Sequence, residues 1–123
     1  MSEHSEQVAL FEALAITTKK EPALRWAFAI PNGFYSTPAQ KRKMRNEGLK
    51  PGVWDIFVPI PARGFHGMFV EMKFGSNKLT SEQEEFGEYI SKSGYFRHVA
   101  YDWQDAYKAI CNYLQIAPDF EVN

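Results

Sequence analysis

Cysteine is nearly absent from this chain. Cys111 is the single one in 123 residues, which excludes an internal disulfide and any multi-cysteine zinc site. A chain without disulfides fits a reducing compartment, so a cytoplasmic location is expected. Long apolar runs are missing too. None approaches the ~18 residues of a membrane span, and the polar start Met1-Ser2-Glu3-His4-Ser5-Glu6 does not read as a secretion signal. The net charge of −1 lacks the global basic excess of many polyanion binders. There is no repeat, no low-complexity stretch and no linker long enough to divide domains. The expectation is one domain over residues 1–117 and a loose tail over 118–123.

Charge is uneven along the chain. Residues 41–50 hold Lys41, Arg42, Lys43, Arg45 and Lys50 against Glu47 alone, whereas residues 82–88 hold Glu82, Glu84, Glu85 and Glu88 with no base. A basic segment on a near-neutral chain is compatible with contacting a polyanion at one place, or with a solvated helix face.

Periodicity orders the elements. Residues 3–17 read as a helix with Leu10, Phe11 and Leu14 on one face. Glu3 and Gln7 project from that apolar face, with Glu6 at its margin and Glu12 outside it. Trp26-Ala27-Phe28-Ala29-Ile30 reads as a strand stopped by Pro31-Asn32-Gly33. Thr37 and Pro38 open a basic helix that Gly48 closes. Residues 53–58 and 68–73 read as two strands joined by an irregular Pro- and Gly-containing link. Thr80 and Gln83 have capping-box spacing and start a helix that ends at Gly94. Residues 95–100 give a fourth strand, and Asp102 caps a last helix. Strands alternating with helices imply an α/β fold with helices on both faces of a four-stranded sheet, and the short link between the middle strands makes that sheet mixed.

The two middle strands carry what a buried strand should not. Val53-Trp54-Asp55-Ile56-Phe57-Val58 holds Asp55, and Met68-Phe69-Val70-Glu71-Met72-Lys73 holds Glu71. A carboxylate in an apolar setting costs several kcal/mol unless something pairs with it, so a shared cation is expected. Lys73 lies two residues after Glu71 and points to the same side. The acids suit Mg2+ or Mn2+, with the Met72 backbone carbonyl as a further oxygen. Lys73 could then orient an attacking water or offset transition-state charge. Phosphodiester hydrolysis is the reaction that uses all three groups. Set against it, an E-x-K triplet arises by chance and on an exposed strand is only an ion pair. His4, His66 and His98 are isolated and read as packing or surface residues.

At these residues the chain resembles the PD-(D/E)xK nuclease superfamily, and within it the small stand-alone phage and prophage VRR-NUC domains. The matching segments are Glu3 to Phe11, Ala29-Ile30-Pro31-Asn32-Gly33, Glu47 to Asp55, His66 to Lys73 and Thr80-Ser81-Glu82-Gln83, in the family's order. The resemblance implies a restriction-endonuclease-like core and Mg2+ or Mn2+ at Asp55 and Glu71, with Lys73 as catalytic lysine. It maps the family's Glu-x-x-x-Gln onto Glu3 and Gln7, with Glu6 as competitor. It matches Gln83 to the family's glutamine after the E-x-K strand, which the capping box explains equally well, and sets Asn32 on the DNA path, with turn chemistry as the alternative. Given a DNA substrate, Lys41, Arg42, Lys43, Arg45 and Lys50 of the basic segment are the expected phosphate contacts. It also implies a homodimer that cuts branched DNA in the manner of Holliday junction resolvases, in a bacterial or phage-infected cell, with no membrane partner. One departure is Trp54, where the family usually has Pro before the metal-binding Asp. The competing readings are a sequence-specific restriction-type enzyme, a non-catalytic DNA-binding module and a metal-free small-molecule enzyme.

Overall fold

The computed structural model describes residues 2–31 and 37–121. Helix α1 spans Glu3–Thr17, opened by a capping box between Ser2 and Ser5. A 3-10 segment, Pro22–Trp26, leads into β1, Phe28–Ala29. Then come α2 (Pro38–Asn46), β2 (Ile56–Val58), β3 (Met68–Met72), α3 (Ser81–Lys92), β4 (Phe96–Ala100) and α4 (Trp103–Leu114).

The sheet order is β1-β2-β3-β4, with β1/β2 and β2/β3 antiparallel and β3/β4 parallel. The sheet is therefore mixed and four-stranded, as expected. The parallel step follows from α3, which returns the chain to the starting end of β3 before β4 begins.

Register decides the two faces. Ile56 pairs with Val70 and Val58 with Met68; with Met72 they point to one side, and all five are fully buried. Helices α1 and α4 cover that side, supplying Leu10, Leu14, Tyr107, Ile110 and Tyr113 to the core. Phe57 pairs with Phe69 on the other side, where Phe86 of α3 meets Phe69 edge-on at 5.3 Å.

Three boundaries differ from the sequence reading. Trp26 lies in the 3-10 segment, because Pro22 opens a helical turn that carries the chain to it, and β1 is short. Residues 53–55 precede β2 rather than belonging to it: Trp54 is held against α3, while the Asp55 carbonyl accepts from the Ile30 N–H (2.6 Å) beside the ladder. The tail is docked, not loose, at least as far as Phe120. The Asp119 N–H donates to the Tyr107 hydroxyl (2.8 Å), Lys20 pairs with Asp119 (3.1 Å), and Phe120 packs against Tyr107 and Trp103. An aromatic side chain gains more by covering α4 than by solvation.

Helix α2 buries none of its residues. Local signals hold it: a Thr37–Gln40 capping box, Pro38 in the first turn, and at its end Leu49 N–H donating to the Met44 carbonyl with Gly48 at φ +107°. That is a Schellman closure, which needs the left-handed conformation glycine adopts without strain.

Candidate functional site

Asp55 stands just before β2 and Glu71 on β3, both on the face opposite the core. Their backbones and side chains interlock. The Asp55 N–H donates to Glu71 Oε1 (3.1 Å), and the Met72 N–H donates to Asp55 Oδ2 (3.0 Å). Each acid is thus held by the strand that carries the other. Glu71 is 1% exposed and Asp55 half-buried. Burial first, and then the facing Asp55 charge, push the Glu71 carboxyl up to about 8. Burial also raises Asp55, with the Glu3 charge adding to it. Two carboxylates facing each other out of water cannot both ionise cheaply.

Lys73 is buried with its Nζ 3.6 Å from Glu71 Oε2. Its own N–H continues the ladder by donating to the Ala100 carbonyl. Gln83 meets the same carboxylate oxygen, its Nε2 donating to Glu71 Oε2 (2.9 Å) while its Oε1 accepts from the Thr80 N–H (2.9 Å). One side chain therefore closes the capping box of α3 and steadies Glu71. The structure brings together Asp55, Glu71, Lys73 and Gln83, and places Gln83 on an acid of the site.

The remaining candidates lie elsewhere. Glu3 is half-buried, and its charge reaches Asp55. Glu6 is buried, and its Oε1 accepts from the Trp103 N–H (2.9 Å) at the start of α4, where a carboxylate complements the helix dipole. Gln7 lines a shallow groove along α1 with Val8, Phe11 and Ala15; among the described residues no hydrogen bond ties it to either acid. Lys41, Arg42, Lys43, Arg45 and Lys50 are exposed. Asn32 lies outside the described residues. His98 contacts Asp105 (2.9 Å) and His66 packs by Tyr95.

Among the described residues no group of three or more His, Cys, Asp or Glu converges as a metal cluster. What the site offers is one buried and one half-buried carboxylate, hard oxygen donors whose mutual repulsion a cation would relieve. That donor set fits a small divalent ion that keeps several of its own waters.

Trp54, the departure from the family pattern, has a place in this arrangement. It is fully buried, and its indole N–H donates to the Gln83 carbonyl (2.8 Å). The signal for it was Gly87, a glycine inside a helix. Such a glycine costs about 1 kcal/mol against Ala and so calls for a close neighbour. A Cβ there would lie 2.6 Å from Trp54 Cζ2.

No family profile and no curated protein matches the chain. Among solved structures, one described as "VRR_NUC domain protein" matches with a TM-score of 0.76 at 21% identity, covering 96% of this chain and 92% of that one. The chain therefore has the fold of that protein, a mixed four-stranded sheet flanked by helices.

Proposed function

We propose that this chain is a divalent-metal-dependent endonuclease that cuts branched DNA by phosphodiester hydrolysis. The observation that carries the reading is the interlocked Asp55–Glu71 pair with Lys73 beside it, on a fold shared with a protein named for a nuclease domain. Asp55 and Glu71, with the Met72 carbonyl, would hold Mg2+ or Mn2+. When bound, such an ion lowers the pKa of water and offsets phosphoryl charge.

The chain's own groups do the rest. Lys73, kept from solvent, presents one positive charge to the attacking water or to the developing charge. Gln83 keeps Glu71 oriented, as partners of metal ligands generally do. Glu3 on α1, whose charge reaches Asp55, would add to the acidic side of the site, with Gln7 one turn further along the helix. Helix α2 presents Lys41, Arg42, Lys43 and Arg45 to phosphates, with Lys50 just beyond it, and Asn32 is a further proposed DNA contact. A helix with no buried side chain and four exposed bases has its outer surface free for this. Such contacts position DNA without reading its sequence. Paired cuts across a junction need two active sites, which a C2 homodimer supplies. The setting is the cytoplasm of a bacterial or phage-infected cell.

The test is cleavage of labelled Holliday junctions, flaps and plain duplex in Mg2+, Mn2+ and EDTA. Branched substrates should be cut with metal, and Asp55→Asn should abolish cutting and weaken Mn2+ binding while the circular dichroism spectrum stays unchanged. Unaltered Mn2+ binding by Asp55→Asn would remove Asp55 from the metal site. Cleavage undiminished in EDTA would overturn the mechanism.

A further inference from the structure

We infer that Trp54 is a positioning residue. Its indole N–H fixes the first turn of α3, so that the Gln83 amide holds Glu71 facing Asp55. Three contacts between the stretch leading into β2 and α3 support this. Gly52, at φ +91°, approaches so closely that a Cβ would lie 2.6 Å from the Glu82 carbonyl oxygen. Trp54 Nε1 donates to the Gln83 carbonyl at 2.8 Å. The indole lies under Gly87, where a Cβ would meet Cζ2 at 2.6 Å. Helix α3 is thereby seated on the residue that directly precedes Asp55.

Gln83 is consequently held at both ends. Trp54 fixes its main-chain carbonyl, and the Thr80 N–H fixes its side-chain oxygen. The amide nitrogen has one direction left, toward Glu71 Oε2 at 2.9 Å. The stretch that carries Asp55 and the helix that steadies Glu71 thus share a part-buried hydrogen bond, and the relative placement of the two acids depends on it. A bulky hydrophobe that only filled space would not need a donor aimed at that carbonyl.

The part of this inference that concerns metal binding rests on the proposed function, so the test has a metal-free arm. In full-length apo protein, the side-chain amide of Gln83 is followed by nitrogen-15 NMR, and Mn2+ affinity is measured separately by titration. Trp54→Phe keeps a ring and removes the donor. It should shift the Gln83 amide resonances, speed their exchange with solvent and weaken Mn2+ binding about fivefold, the equivalent of one neutral hydrogen bond. Benzothienylalanine at position 54 keeps the indole shape without the N–H and should do the same, which separates loss of the donor from loss of packing. Gly87→Ala pushes from the helix side and should move the same resonances. Tyr113→Phe removes a hydroxyl that donates to the Ile60 carbonyl on the other face of the sheet, and should leave both readouts unchanged.

An unchanged Gln83 amide in the benzothienylalanine protein overturns the inference, as does unchanged Mn2+ affinity in a protein whose wild type binds Mn2+. A wild type that binds no Mn2+, together with a Gln83 amide that responds, leaves the positioning of Glu71 by Trp54 standing and removes the metal reading.

Discussion

On one face of the sheet, Ile56, Val58, Met68, Val70 and Met72 are fully buried under α1 and α4. On the other, the alternate positions of the same chain segments hold Asp55, Phe57, Phe69, Glu71 and Lys73. Both faces exclude water near β3, since Glu71 is as buried as the apolar residues on either side of it. They differ in what they do with that exclusion. The first converts it into stability, at roughly 1.5–3 kcal/mol for each large side chain. The second gives up part of that gain to hold two acids and a lysine where their charges interact strongly. A one-residue slip in register would exchange the two sets. The five wholly buried apolar residues are therefore what places Asp55 and Glu71 on the same side.

Adding an acid to the first face and removing one from the second gives the largest expected contrast. Val70→Asp buries a carboxylate with no donor prepared for it, at a cost of several kcal/mol against a total of roughly 5–15 kcal/mol for a domain. The chain should be unfolded or near its melting point at 25 °C by circular dichroism. Glu71→Gln, one residue away, should fold and be at least as stable as wild type at alkaline pH. The sign follows from linkage. Glu71 rises from 4.5 to about 8 on folding, so the folded state binds this proton more tightly than the unfolded state. Its contribution is complete below the unfolded value and is lost as pH climbs from about 4.5 through about 8. Metal-free wild type should therefore lose thermal stability across that window, Glu71→Gln should lose less, and Mn2+ should restore wild type alone. A Glu71→Gln protein with the same pH profile as wild type would mean that Glu71 is not the group responsible.

Much of this contrast could be read from the residues. Asp55, Glu71 and Lys73 stood out because charge inside Val-, Phe- and Met-rich runs has a known cost. The helix starts at Thr37, Thr80 and Asp102 were legible because capping is local chemistry, and the structure has all three. What could not be read depended on contacts distant in sequence. Trp54 meets Gln83 and Gly87 across about thirty residues. Phe120 finds α4 only once α4 has docked. The ambiguity between Glu3 and Glu6 had the same origin, since helical spacing placed both near the apolar face and the contact of Glu6 with Trp103 spans 97 residues.

The polar face also separates binding from turnover. Lys73 contacts Glu71, yet in the proposed reaction its charge matters most when negative charge develops on the phosphate. Lys73→Met keeps the buried stem and removes the ammonium. Single-turnover cleavage should fall at least ~100-fold, in the range of losing one oxyanion-type contact. Junction affinity, measured in Ca2+, should change by less than about threefold, since an interaction made only in the transition state does not appear in substrate binding. Cleavage at the wild-type rate would reduce Lys73 to an ion-pair partner of Glu71.

The smallest effect concerns an exception to the contrast, an acid buried on the apolar side. Glu6 lies between α1 and α4, with Oε1 on the Trp103 N–H and Oε2 buried without a hydrogen-bond partner among the described residues. In this position it acts as a cap lent by one helix to another. Glu6→Gln retains an acceptor for Trp103 and replaces the unpartnered oxygen by an amide; it should leave Mn2+ affinity unchanged. Glu6→Ala removes the cap and should cost about 1–2 kcal/mol, again without effect on the metal. Glu3 makes the opposite case. Its charge raises Asp55 from the rim of the site, and the same field should attract a cation. Glu3→Gln should weaken Mn2+ binding by about two- to fivefold, the scale of a partly screened neighbouring charge, with little change in melting temperature. Titrating Mn2+ into the Glu3→Gln and Glu6→Gln proteins decides between the two acids of α1. If Glu6→Gln weakens Mn2+ and Glu3→Gln does not, the site extends toward α4, and the division of labour between the two faces is less complete than the buried residues suggest.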